Sequence, residues 1–276
     1  MTDRYAVIGN PIEQSKSPII HTAFAKATGQ DLEYTKVLAP LGGFATTVDV
    51  FRQAGGRGMN VTAPFKLDAY AYATDLSERA RMAGAVNALK FDGERVHAEN
   101  FDGVGLMRDV VSNLACPLAG RRVLVLGAGG ASRGALLPLL AEGPAEVVIA
   151  NRTLSKAQEV AEMARVHAKG TKVLALGYAD LQAGAFDVVF NATSASLTAE
   201  APPVPARVFG PQTLAYELAY GKGLTPFLQV ARQAGVTRLA DGVGMLAEQA
   251  AEAFEWWRGV RPGTAEVIRL LTVPLV

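Results

Sequence analysis

The stretch VLVLGAGGASRGALLPLL, residues 123–140, constrains the fold more than any other part of the chain. An apolar strand, a glycine turn and an apolar helix follow one another without a gap. A short strand with no polar position must be buried on both faces. That requires parallel neighbours and covering helices. The rest of the chain supplies them. EVVIAN (146–151), KVLAL (172–176), FDVVFNAT (186–193) and TLAYELA (213–219) read as strands. SKAQEVAEMARVHA (155–168) and 225–234 read as helices between and after them. The Pro-rich stretch 201–211 is a loop within this region, because the alternation resumes after it.

The N-terminal part alternates in the same way. YAVIG (5–9), EYTKVL (33–38) and GMNVT (58–62) are strands. A helix is predicted over 18–28, with Ser17 as N-cap, Pro18 at the first position and Gly29 as the stop. Others are predicted over 41–53 and from Pro64-Phe65-Lys66 onward. VNALKF and ERVHAEN flank Asp92-Gly93, a two-residue hairpin signal. The period turns helical over 103–114, and helices over 243–258 and 264–272 close the chain.

Composition removes several function classes. Of 276 residues, 50% are hydrophobic and 19% charged, which suits a folded protein. A formal net charge of +1 gives no broad field for nucleic acid or an anionic membrane. No apolar run reaches the roughly 18 residues of a membrane span, and Met1-Thr2-Asp3-Arg4 has no signal-peptide character. Cys116, the single cysteine, can form no intrachain disulfide and reads as packing. A cytoplasmic protein is the expectation. The three histidines, His21, His97 and His167, are too scattered to suggest a metal site.

The glycine turn has a chemical reading. Gly127 permits the tight turn, and Gly129 lets backbone approach a diphosphate at a helix N-terminus. Ser132 stands at the third position, where Gly or Ala is usual. The end of the next strand selects the nucleotide. A carboxylate there would hold a ribose 2′-hydroxyl. Here Asn151, Arg152, Thr153 and Lys156 follow. Arg152 and Lys156 would attract a 2′-phosphate, so the expected cofactor is NADP.

The N-terminal part carries polar residues at strand ends and helix starts: Ser15, Ser17, Asn60, Thr62, Lys66, Asn87 and Asp102. Each has an ordinary structural reading alone. Together they offer the donors and acceptors that a polyol needs, with Lys66 as a proton source.

These pieces carry a family resemblance. IGNPIEQSKSPIIH, GMNVTAPFK, AGAVN, NFDGVG, LGAGGASRG, NRT, AYGKGLTPF and DGVGMLAEQAAEAFEWW run from end to end of the chain, which resembles the shikimate dehydrogenases. The resemblance implies reversible NADPH-linked reduction of 3-dehydroshikimate to shikimate. By that likeness Ser15 and Ser17 bind the substrate carboxylate. Asn60, Thr62, Asn87 and Asp102 hold ring hydroxyls, and Lys66 and Asp102 form the catalytic pair. Tyr220 and Gln249 also bind substrate. Gly127, Ala128, Gly129, Gly130 and Ala131 match the diphosphate loop, and Asn151, Arg152, Thr153 and Lys156 the adenosine-phosphate clamp. Leu218 and Gly242 match positions beside the nicotinamide, and Glu78 a position sometimes assigned to the cofactor. Tyr216-Glu217-Leu218 departs from the family's usual Tyr-Asp-Met, which implies altered cofactor packing and the same reaction.

The expected architecture is α/β in two domains. Residues 1–101 and 242–276 form a discontinuous substrate domain, to which the C-terminal helices return. Residues 102–241 form a Rossmann-type NADP domain. The site is expected in the cleft between them, in a monomer or homodimer. A quinate/shikimate dehydrogenase of relaxed specificity and a catalytically silent NADP-binding regulator are the alternatives.

Overall fold

The computed structural model describes residues 2–182, 184–193, 195 and 200–275. The chain divides into two compact units: 1–105 with 247–269, and 106–246 with 270–276. Two of the three boundaries fall a few residues from the sequence-based ones, inside the helices Asp102–Arg108 and Val243–Arg258; the third, inside Ala265–Leu271, is one the sequence does not mark. The last residues go with the second unit, where Leu275 packs on its core.

The first unit contains strands β1 (Asp3–Gly9), β2 (Leu32–Leu38), β3 (Gly56–Val61), β4 (Asp75–Leu76), β5 (Ala88–Asp92) and β6 (Arg95–Glu99). Its helices are α1 (Ser17–Thr28), α2 (Phe44–Gln53), α3 (Lys66–Tyr72) and α4 (Glu78–Ala83), and α5 (Asp102–Arg108) begins there. The sheet order is β2-β1-β3-β5-β6-β4. β1 pairs in parallel with β2 and β3, as helical crossovers require. The sheet is not parallel throughout: β5 runs antiparallel to both β3 and β6. The hairpin imposes this, and its register pairs Asp92 with Arg95. The loop is therefore Gly93-Glu94, one residue later than the sequence suggests. Gly93, at φ 57°, occupies the left-handed position.

Ser17 is not the N-cap of α1. Lys16 holds that position without a side-chain cap, and Ser17 is already helical. Gly29 does end the helix, in the left-handed conformation at φ 65°. α4 is a short helix that the hydrophobic pattern leaves unmarked. It is capped by Ser77, which accepts from the Ala80 N–H, and closed by a left-handed Gly84.

The second unit contains β7 (Arg122–Leu126), β8 (Glu146–Asn151), β9 (Lys172–Gly177), β10 (Val188–Asn191), β11 (Leu214–Glu217) and β12 (Arg238–Asp241). Its helices are α6 (Gly130–Ala141), α7 (Leu154–Arg165) and α8 (Pro226–Gln233), and α9 (Val243–Arg258) begins there. The order β12-β11-β10-β7-β8-β9 is parallel throughout. The strand order reverses direction at β7, the switch point after which ligands bind in such sheets. Val123, Leu124, Val125 and Leu126 are buried, as a central strand demands. α10 (Ala265–Leu271) is the last helix. No helix among the described residues is long and apolar enough to cross a membrane.

α1 carries one unusual core residue. His21 is fully buried, and neither ring nitrogen has a hydrogen-bond partner of ordinary geometry. Its ring stacks on Tyr34, 4.2 Å away and 3° from parallel, with Phe24, Phe254 and Trp257 around it. Burial pushes its pKa from 6.5 down to about 3, with Asn60 opposing the shift in part. The folded state thus holds His21 neutral while the unfolded chain protonates it. Stability must fall as pH drops below 6.5, because the unfolded state binds the extra proton. The expected loss between pH 7 and pH 5 from this group is about 2 kcal/mol. Urea titrations of the parent and of His21→Leu at both pH values check this. The leucine variant should lose less stability over that interval.

Candidate active site

In the first unit, the loops that leave β1, β2 and β3 are stitched together. Asn10 N–H donates to Ala63 O, Thr62 N–H to Ile8 O, and the Asn10 amide to Ala39 O. Gly9 has to be glycine, because a Cβ there would lie 2.6 Å from the Thr62 methyl. The β1–α1 loop carries Ser15 and Ser17. The β3–α3 connection carries Thr62 and leads to Lys66 in the first turn of α3. The two serine hydroxyls lie 3.3 Å apart.

A second group of side chains forms one hydrogen-bonded chain. Lys66 Nζ donates to Asp102 Oδ2 at 2.6 Å. Asn87 Nδ2 donates to Asp102 Oδ1 at 2.8 Å and to Gln249 Oε1 at 3.2 Å. Asn87 Oδ1 accepts from the Phe101 N–H at 2.9 Å. Asn60 adjoins this chain through Nδ2, 3.4 Å from the Asn87 carbonyl. Asn60 and Asn87 are buried, while Lys66 and Asp102 keep 36% and 18% of their side chains exposed. A buried amide orienting a half-exposed ion pair makes a reactive face with a rigid back.

Asp102 does not cap α5. Asn100 Oδ1 accepts the Asp102 N–H, and Asn100 donates to Ala85 O, so the Asp102 carboxylate is left to Lys66 and Asn87. The sequence leaves Asn100 unmarked. Its signal is an Asn two residues before a helix start, which is weak alone. Tyr34 is also unmarked. It donates to Asn60 Oδ1 at 2.6 Å from inside the core. Burial holds its phenol well above the usual range, and the Ser17 hydroxyl beside it offsets this in part. Ser15, Ser17, Asn60, Thr62, Lys66, Asn87, Asp102 and Gln249 thus all belong to one unit. A groove of about 600 Å³ in the same unit, lined by Lys90, His97, Trp256 and Arg258 among others, contains none of them.

In the second unit, β7 ends in the glycine turn. Gly127 has two internal reasons to be glycine: φ is 104°, and a Cβ would lie 3.1 Å from Ala192 O. Gly129 and Gly130 have none, since a Cβ on either meets no atom of the described residues within 4 Å. Open space over glycines at the start of the twelve-residue α6 fits the close approach of an outside group, and the helix N-terminus favours an anion. Ala128 is buried and Ala131 exposed at the same turn. Ser132 is buried, and its hydroxyl donates to Gly127 O at 2.8 Å. A hydroxyl at the third position therefore braces the turn without widening it.

β8 ends at Asn151, whose amide donates to Thr153 O at 2.9 Å. Arg152, Thr153 and Lys156 are exposed beyond it. Neither Arg152 nor Lys156 has a carboxylate partner among the described residues, so both cations are available to a phosphate.

Leu218, Tyr220 and Gly242 also lie in this unit. The backbone around Tyr220 is tied on both sides. Glu217 accepts from Ala219 N–H at 3.2 Å, and Asp241 from Gly221 N–H at 3.0 Å. Glu217 is fully buried and also accepts from Asn191 and Thr225. Burial pushes the Asp241 carboxyl up, against the N–H groups of Gly221 and Val243. Gly242 packs against the Leu218 carbonyl, 2.2 Å from where a Cβ would stand, so its glycine is required by the fold itself. Glu78 is exposed in the first turn of α4, in the first unit.

Three family models match the chain. The shikimate dehydrogenase substrate binding domain covers 7–89, the shikimate / quinate 5-dehydrogenase model 109–199, and the shikimate 5′-dehydrogenase C-terminal domain 242–272. The shikimate dehydrogenase (NADP(+)) of Nitrosospira multiformis is 55% identical over 98% of both chains. The chain belongs to the shikimate dehydrogenase family. Among solved structures, an Ael1 enzyme from Pseudomonas putida is 58% identical over 100% of both chains, with a TM-score of 0.95. The Thermus thermophilus shikimate 5-dehydrogenase in complex with NADP(H) and shikimate is 30% identical at a TM-score of 0.83, over 98% of this chain and 100% of that one.

The open space over Gly129 gives a test that separates cofactor approach from folding. Gly129→Val should leave the melting temperature of the free protein unchanged, since φ is −89° and none of the described residues crowds the position. With a diphosphate expected over this turn, its affinity for NADP+ should fall by at least about tenfold. Calorimetric titration with NADP+ and a thermal melt check both parts.

Proposed function

We propose that this chain catalyses the reversible, NADP-linked interconversion of shikimate and 3-dehydroshikimate, with the substrate held by the first unit and the cofactor by the second. The observation that carries the residue assignment is the Lys66–Asp102 pair at 2.6 Å, oriented by Asn87. A ketone that receives hydride must also receive a proton on oxygen, and this pair places an ammonium proton at a half-exposed face.

Bound NADPH supplies the hydride that reduces the ring carbonyl. Lys66 Nζ delivers the proton to the developing alkoxide and takes it back in the reverse direction. Asp102 holds Lys66 with one oxygen, and its carboxylate accepts from the neighbouring ring hydroxyl. Asn87 fixes Asp102 and Gln249 together, so that several hydroxyl contacts form as a set. Ser15 and Ser17 offer two hydroxyl donors to the substrate carboxylate. Asn60 and Thr62 complete the ring contacts, and Tyr220 is assigned to the substrate through the family likeness alone. Gly127 to Ala131 hold the diphosphate, and Asn151 to Lys156 the adenosine ribose and its 2′-phosphate. Leu218 and Gly242 would lie beside the nicotinamide, and Glu78 would contact the cofactor, assignments that rest on the family likeness alone. The single cysteine and the near-neutral charge support a reducing, cytoplasmic setting.

The testing experiment follows nicotinamide absorbance with shikimate and, separately, quinate, each with NADP+ and NAD+. Reduction with shikimate and NADP+ supports the reading. Comparable turnover of quinate would favour the broader activity named by the second family model. Binding of NADP+ without turnover of either acid would leave a silent regulator.

Lys66→Ala should lower kcat by roughly 100- to 10,000-fold while NADP+ affinity stays within about twofold. Stopped-flow turnover and NADP+ titration measure the two parts, and near-normal turnover would remove Lys66 from the chemistry. Arg152→Ala should erode the preference for NADP+ over NAD+ by roughly 10- to 100-fold in kcat/KM, the worth of a charge-assisted phosphate contact. An unchanged ratio would place the phosphate clamp elsewhere.

A further inference from the structure

Asn60 has a buried neighbour that the functional reading leaves without a role. Tyr34, on β2, lies in the core and directs its hydroxyl at Asn60 Oδ1, 2.6 Å away. The other end of the Asn60 amide faces the Asn87 carbonyl, which accepts only. That carbonyl already takes the Val61 N–H at 2.8 Å. The atom facing it must be Nδ2, so the atom facing Tyr34 must be the oxygen and the phenol the donor. A half-turn of the amide would set oxygen against oxygen at Asn87 and leave the buried phenol facing an amine.

The phenol is itself held in place. Its ring lies flat on the His21 imidazole, 4.2 Å away, and Trp257 lies 6.5 Å from it at a tilt. Tyr34 therefore has little freedom to follow Asn60, whereas Asn60 must follow Tyr34. A side-chain amide at a binding site is useful only if it presents the same group at every encounter.

We propose that Tyr34 is a positioning residue of the substrate site, locking the Asn60 amide so that its NH2 group is the one presented to a ligand hydroxyl. This rests on the reading of shikimate as the substrate. Tyr34 is assigned no contact with substrate or cofactor; its hydroxyl also lies beside that of Ser17, and the role proposed for it runs through Asn60.

Steady-state kinetics of Tyr34→Phe, Asn60→Ala and the double variant test it. The phenylalanine keeps the stack on His21 and removes one oxygen. Its KM for shikimate should rise about tenfold, the effect of leaving a buried acceptor unpaired and its amide free to turn. Its kcat should stay within about threefold, and its KM for NADP+ should not change. The double variant should match Asn60→Ala in KM, because two changes on one path do not add. It also lacks the carbonyl that Tyr34→Phe strands, so it keeps the test open should that single variant fail to fold. A Tyr34→Phe KM within twofold of the parent overturns the proposal. So does a double variant whose KM is the product of the single effects, or a loss confined to kcat. Parent protein that binds NADP+ but leaves shikimate untouched overturns the functional reading and this proposal with it. Parent turnover with an unaffected Tyr34→Phe overturns this proposal alone.

Discussion

Asn87 is the residue through which the polar site of the first unit is assembled. Its side-chain oxygen takes the Phe101 N–H, and its amide reaches both Asp102 and Gln249. Its backbone N–H goes to Glu99 O, and its carbonyl receives Val61 N–H and Asn60. One buried residue thus joins β3, the end of β6, the start of α5 and α9. An apolar residue there would strand the buried Phe101 N–H and take the amide donor from Asp102 and Gln249 at once. The position of the Lys66–Asp102 pair follows from this arrangement. Asp102 is held from behind by Asn87 and meets Lys66 in front, while Asn100 relieves it of capping its own helix.

The second unit achieves rigidity by another route. The glycine turn proposed for the diphosphate offers backbone, and backbone is placed by strand ends. Ser132 tightens the glycine turn from below. Glu217, buried beneath the loop after β11, ties Ala219, Asn191 and Thr225 to one carboxylate. The family's usual Asp at this position has a shorter arm. The extra methylene of Glu217 lies inside the fold, with the whole side chain buried. Leu218 next to it remains an apolar surface.

Much of this was legible from residue order. Apolar strands spaced by helices implied α/β architecture, and the glycine turn between Leu126 and Gly130 implied a dinucleotide-type start. Where reading failed, a local signal was outvoted or too short. Ser17 looked like a cap, but α1 begins one residue earlier and its hydroxyl faces Ser15 and Tyr34. The hairpin loop shifted by one residue because the pairing register, set by neighbouring strands, took Asp92 into the ladder. β4 and β12 are two and four residues long, too few for a period to show. The mixed pairing of the first sheet follows from the hairpin, which the sequence did announce.

The sequence by itself determined the alternation of elements, the glycine turn and the set of polar residue types at strand ends, because those depend on neighbours a few positions apart. Only the tertiary structure decided which of these residues meet. Lys66 and Asp102 are 36 positions apart, and Asn87 and Gln249 are 162 apart. Their contact depends on how helices pack on a sheet, which no local pattern encodes. The same holds for Tyr34 and His21. Within a strand and a helix they read as ordinary core positions. Packed together, they place a phenol oxygen where it fixes the direction of an amide.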